Sequence, residues 1–145
     1  MNMNEELKQK AMALEIYNQQ LQMIQSEISS IRVLKSEIMK SIETIENIKV
    51  EDETLIPIGP GVFVKAKVVD DKALIGVKSD IYVEKSFNEV VEDLKKSVED
   101  LDKAEKEGMK KAEELAKAIA TLKKELQAEI QKAQQTQEDK QQKQN

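Results

Sequence analysis

The sequence predicts an α+β fold: a long antiparallel coiled-coil hairpin with two β-hairpins set between its helices. Three observations predict it. Seven-residue apolar repeats run through both ends of the chain and stop in the middle. Across the middle the apolar period falls to two. Both prolines and two of the four glycines lie in the stretch "TLIPIGPGVFVKAKV", Thr54 to Val68, which separates the two helical patterns.

The first helix is expected over residues 5–48. One apolar series is Leu7, Leu14, Leu21, Ile28, then Lys35, then Ile42; the other is Tyr17, Ile24, Ile31, Ile38 and Ile45. Their offset of three and four residues is the spacing of a coiled-coil seam. A helix of this length would be about 66 Å long, too long to bury end to end in a small globule, so it is expected to project.

The second helix is expected over residues 86–133. Phe87, Leu94, Leu101, Gly108, Leu115 and Leu122 form one series; Val91, Val98, Glu105, Ala112, Ile119, Leu126 and Ala133 form the other. Two arms of nearly equal length pair most simply by folding back on each other. That register sets Gly108 and Ala112 against Ile28 and Ile24, small against large. Residues 134–145 contain no apolar side chain and are expected to be a disordered, Gln-rich tail.

Between the arms, residues 54–85 read as four short strands. "TLIPI" is the first, with Pro57 suited to an edge. "VFVKAKV" puts Val62, Val64, Ala66 and Val68 on one face, "KALIGVKSD" puts Ala73, Ile75 and Val77 together, and "IYVEK" pairs Ile81 with Val83. Gly59–Gly61, Asp70–Asp71 and Ser79–Asp80 stand where turns belong. Four such strands leave bare edges and an apolar face that one chain cannot cover. Val62, Val64, Ala66, Ile75, Val77, Ile81 and Val83 are therefore the expected oligomer interface. Near the base of the arms the apolar stripe widens through Leu34, Met39, Ile48 and Val90, which implies further packing there.

Composition narrows the function. The chain holds no His and no Cys, so the commonest acid–base groups, nucleophiles and metal ligands are missing, and no phosphate-binding loop motif is present. An enzyme, a cofactor or a metal site is not expected. A net charge of −5 without a basic block argues against nucleic acid. No apolar run is long enough to span a membrane, and the first residues lack the apolar core of a signal peptide. A soluble cytoplasmic protein is expected.

Helix, two hairpins, helix at these lengths resembles the prefoldin family, specifically its α class of archaeal type. The resemblance is carried by "ETLIPIGPGVFVKAKVVDDKALIGVKSDIYVEKSFNEVVEDL", Glu53 to Leu94. It holds the Leu-Ile-Pro-Ile-Gly-x-Gly strand and turn at Leu55–Gly61, a Lys-bearing strand and the acidic turn Asp70–Asp71. A Gly-containing third strand follows, and the fourth leads into a helix opening with Phe87. Pro60 between the two turn glycines departs from the more familiar Ala.

The resemblance implies an ATP-independent chaperone whose hairpins assemble into an oligomeric β-barrel. Its partners would be β-class prefoldin subunits or further copies of itself, unfolded client proteins and a group II chaperonin. It further implies that clients are held at the coiled-coil tips, where both chain ends meet and the pattern loosens. The residues expected to bind them are Leu7, Met12, Leu14, Leu122, Leu126 and Ile130. Met12 lies outside the seam, as does Met23, and Met suits a surface that must accept many shapes. A homo-oligomeric or filament-forming structural protein of the same build is the alternative.

Overall fold

The structure, a computed structural model, describes residues 2–144. The elements follow in the order helix α1 (Met3–Asn47), strands β1 (Glu53–Gly59), β2 (Val62–Lys67), β3 (Lys72–Lys78) and β4 (Ile81–Ser86), and helix α2 (Phe87–Gln144). Local signals set their ends. The Asn2 side-chain oxygen accepts the Glu5 N–H at 2.9 Å and caps α1. Ser86 Oγ accepts the Glu89 N–H at 3.3 Å, and Ser86-x-x-Glu89 has the sequence of a capping box at the start of α2. After α1 the chain turns at Glu51, whose φ of 72° is left-handed. The Glu51 N–H donates to the Val68 carbonyl at 2.7 Å, which ties this turn to the end of the first hairpin.

Helix α2 does not stop at Ala133. The stretch expected to be disordered is helical through Gln144, and Asn145 lies outside the described residues. The physical reason is that Gln, Lys and Glu are good helix formers and no Gly or Pro follows Gly108. Adding residues to an existing helix avoids the nucleation cost, so the tail extends α2 although it buries nothing.

The chain divides into two compact units. The first comprises the described residues of Met1–Ser30 and Ala104–Asn145. Here the helices pair antiparallel through a seam in which Ile28 and Ile119 are buried. A Cβ added at Gly108 would lie 3.0 Å from Ile28 Cγ1, so the small-against-large contact expected from the heptads is present. Glycine serves here by letting a bulky neighbour approach, not by its backbone freedom.

The second unit is Ile31–Lys103. Its helical segments are antiparallel too: Lys35 Nζ donates to Asp102 Oδ1 at 2.9 Å, and Lys95 Nζ stands 3.5 Å from Glu46 Oε1. The strands make two separate two-stranded antiparallel sheets, β1–β2 and β3–β4. The Asp70 carboxylate accepts the Lys72 N–H at 3.1 Å in the turn between them, and the Phe87 N–H donates to the Asp71 carbonyl at 2.7 Å. Val90, on the first turn of α2, is the most buried apolar side chain, at 4% exposure. Of the other positions expected to widen the base, Ile48 is half-buried while Leu34 and Met39 are exposed.

The Gly108 contact generates a prediction. Gly108→Ala gains about 1 kcal/mol of helix propensity but crowds Ile28, so thermal unfolding followed by circular dichroism should change little. Gly108→Leu cannot be accommodated by a few tenths of an ångström and should lose about 1–3 kcal/mol. Equal melting for the two variants would show that Ile28 does not fill this space.

Candidate functional site

Two surfaces qualify, one in each unit. In the first unit the seam weakens toward the chain ends. Leu7, Leu14, Leu122 and Leu126 are half-buried, as seam residues should be, whereas Ile130 is exposed. Met12 is 63% exposed and Met23 65%. Ile16, which sequence reasoning passed over, is 49% exposed. Residues 12, 16 and 23 are four and seven apart, so they share one outward face of α1. That spacing was readable in the sequence once the seam had been subtracted.

A polar layer interrupts this seam. Lys10 occupies the position seven before Tyr17, and Glu129 the position seven after Leu122. Lys10 Nζ donates to Glu129 Oε1, with Glu125 Oε2 at 3.6 Å. The bond to Glu129 and the negative charges of Glu129 and Glu125 raise the lysine above its ordinary 10.5, against an opposing effect of desolvation. Because the folded value is raised, the pair's contribution is complete at pH below 10.5 and is lost only as pH climbs through the raised value. The second Glu129 oxygen, Oε2, is buried without a partner. Beyond this layer the apolar heptad positions among the described residues are Leu7 and the exposed Met3 on α1, and Ala133 on α2. An open groove beside it is lined by Glu6, Gln9, Lys10, Ala13 and Leu122.

In the second unit, cross-strand partners define the hairpin faces. Val64 lies opposite Ile56 and Ala66 opposite Thr54; Ile75 lies opposite Val83. Val62 pairs with Gly59 and Ile81 with Lys78. Ala66 and Ile75 are half-buried; Val62, Val64, Val77, Ile81 and Val83 are exposed. Val77 departs from the expected alternation, because the register shifts between Gly76 and Lys78 and leaves it in a bulge.

Sequence reasoning missed the other face. There Leu55 stands opposite Lys65, Pro57 opposite Phe63, Leu74 opposite Glu84 and Gly76 opposite Tyr82. Leu55, Phe63, Leu74 and Tyr82 are more exposed than Val64 and Val83. The Tyr82 ring lies 3.4 Å from where a Gly76 Cβ would be, so it covers the glycine across the ladder. Both faces of both hairpins thus carry exposed apolar side chains, with charged residues among them on the second face, and a two-stranded ribbon can bury neither. The β3–β4 hairpin is held to α2 by Lys85 Nζ, which donates to Asp93 Oδ2 at 2.7 Å; this bond raises the Lys85 pKa.

Among the described residues, no cluster of His, Cys, Asp or Glu could hold a metal ion, and no helix is long and apolar enough to cross a membrane.

Comparison with known proteins gives the family and the fold. The prefoldin subunit family model matches residues 17–143. The chain is 85% identical over 140 residues to prefoldin subunit alpha 1 of Methanocaldococcus jannaschii, covering 97% of this chain and 99% of that one. It is 44% identical to prefoldin subunit alpha of Methanococcus aeolicus, over 89% of this chain and 90% of the other. Among solved structures it resembles a chain of the cryo-EM structure of filamentous PFD from M. jannaschii. The TM-score is 0.56 at 21% identity, over 81% of this chain and 95% of that chain. At this identity the likeness shows the fold: two long helices with two antiparallel hairpins between them.

The polar layer generates a prediction. Truncating one partner leaves a desolvated charge, so Lys10→Leu and Glu129→Leu alone should each lower the stability of this end of the coiled coil. Replacing both completes the apolar seam, and the double variant should equal or exceed the parent, as replaced buried ion pairs often do. Amide hydrogen exchange over residues 3–14 would read the difference. A double variant that exchanges faster than both single ones would contradict the layer's role as an interruption of the seam.

Proposed function

The chain belongs to the prefoldin family of chaperone-type, non-enzymatic subunits, as an alpha subunit, and from that premise we propose that it is a cytoplasmic, ATP-independent holdase. It captures non-native polypeptides at the chain-end portion of its helices, assembles through its hairpins, and passes clients to a group II chaperonin. The observation that carries the reading is the apolar surface of the first unit. Met12, Ile16, Met23 and Ile130 are exposed beside a seam that thins beyond the Lys10–Glu129 layer. Client binding is thereby assigned to Leu7, Met12, Leu14, Leu122, Leu126 and Ile130, with Ile16 added.

The bare hairpin faces support assembly, with Val62, Val64, Ala66, Ile75, Val77, Ile81 and Val83 in the interface. β-class prefoldin subunits would complete a hetero-oligomer. A second reading, self-assembly into a filament, is favoured by the hairpins being bare on both faces, and the similar M. jannaschii structure is described as filamentous. Electron microscopy of the purified chain, with and without a β-class partner, separates the two.

Individual client contacts should be weak. Full burial of an apolar side chain is worth only about 1.5–3 kcal/mol, and a loose client buries it in part. Useful affinity then comes from several arms holding one client. Removal of residues 1–14 together with 122–145 should abolish suppression of client aggregation, read by light scattering without ATP, while assembly survives. Protection undiminished by that truncation would move the binding surface elsewhere. Conversely, Val64→Lys or Ile75→Lys should reduce oligomer size in sedimentation and leave helicity intact. An unchanged oligomer in both variants would mean that this face is not the interface.

A further inference from the structure

Helix α1 carries an uncharged strip in the first unit. Residues 16–26, "IYNQQLQMIQS", hold no Asp, Glu, Lys or Arg, although these make up 35% of the chain. No other uncharged run in either helix exceeds five residues. The strip is not simply apolar either. Asn18, Gln19, Gln20, Gln22 and Gln25 give it five carboxamides, all of them exposed. Charge is what makes a surface costly to bury. A helix face without it can be covered by another molecule at a lower desolvation cost.

Two of the carboxamides have a particular place. Gln19 and Gln20 follow Ile16 by three and four residues and precede Met23 by four and three. They therefore stand between two exposed apolar side chains on one face, which Met12 continues toward the chain end. A partner that covers Ile16 and Met23 excludes water from the amides between them, and a hydrogen bond made there is strengthened. Among the described residues, no hydrogen bond within the chain engages the Gln19 or Gln20 side chain. By contrast, Asn47 Nδ2 donates to the Glu43 carbonyl at 2.8 Å.

The residue type identifies what these groups suit. A carboxamide both donates and accepts, as a peptide group does. An unfolded chain shows unpaired N–H and C=O groups at each residue, whatever its side chains. From Ile16 to Met23 the helix rises about 10 Å, which is the length of about three residues of extended chain.

We propose that Gln19 and Gln20 hydrogen-bond the main chain of an extended client segment whose apolar side chains lie on Ile16 and Met23. The proposal rests on the reading of the first unit as a client surface and adds the chemistry that surface recognises. It is the peptide group itself, irrespective of sequence and charge. A helical client segment does not fit, because its N–H and C=O groups are already paired.

The probe is a short fluorescein-labelled peptide of leucine, valine and serine, alongside a copy in which two adjacent central amides are esters. The ester keeps the side chains and removes the N–H. In anisotropy titrations with the full-length protein, the ester peptide should bind about three- to tenfold more weakly, the worth of a hydrogen bond. The double variant Gln19→Met, Gln20→Met keeps side-chain length and helix propensity and removes the carboxamides. With it, the two peptides should bind within about twofold of each other.

Equal binding of the two peptides by the parent overturns the main-chain contact and leaves the apolar client surface standing. So does an equal ester penalty in parent and variant. If the variant changes oligomer size in sedimentation velocity but not the ester penalty, the strip serves a second copy of the chain and the proposal fails. If the all-amide peptide does not bind the parent, the client-surface reading falls, and the proposal with it.

Discussion

Two helices side by side offer each other one seam, and a two-stranded ribbon offers no interior at all. Everything else in this molecule follows from that shortage of places to bury apolar surface. Among the described residues only Ile28, Val90 and Ile119 are buried hydrophobics. Most seam side chains are covered from one side and remain half-exposed. The hairpins satisfy their backbone groups along one ladder and leave the outer edges and both faces bare. Stability of the single chain is correspondingly local, and its largest unburied apolar areas are the surfaces that must be covered by something else.

With no shaped core, the register of the helices has to be fixed along the seam itself. A heptad repeat tolerates slippage by seven residues unless particular layers forbid it. In the first unit two layers do so. A slip of one heptad would set Lys10 against Leu122 instead of Glu129, desolvating a charge without its partner. The same displacement would bring Ile28 against Leu101, where the space that Gly108 provides is absent. The polar layer costs stability and the glycine costs helix propensity, yet together they select one alignment. In the second unit Lys35 and Asp102 make a comparable layer. The Glu46–Lys95 contact, with both side chains about half exposed, contributes at most about 1 kcal/mol.

The helical seams and the four strands were legible because their periods differ, seven against two, and because caps and breakers agree with them. The charged layer was half legible. Lys10 is visible in the sequence as a break seven residues before Tyr17, but its partner emerges only when the Leu115–Leu122 series is carried one heptad further, to Glu129. The tail was misread because lack of apolar residues signals disorder in an isolated segment, whereas here Gln and Lys continue a helix already formed. The second hairpin face was hidden by Lys65 and Lys67, whose alternation with apolar neighbours marks a solvent side. Phe63 alternates onto that side within β2 itself, and the register with β1 adds Leu55 to it. The bulge at Val77 likewise depends on pairing and has no local signature.

The two candidate surfaces differ in side-chain stiffness, and that difference suits them to different partners. The outward residues of the first unit are Met12, Ile16 and Met23, two of them unbranched. A methionine has rotamers to spare and can fit many contours, but ordering it costs up to about 2 kcal/mol of side-chain entropy. The hairpins carry Val62, Val64, Ile75, Ile81 and Val83, whose β-branched chains are already restricted on a strand. Docking them costs little entropy, so a fixed geometry gains more per unit of area covered. Under the proposed reading, the stiff surface makes the lasting contacts between subunits. The flexible one holds clients loosely enough to let them go.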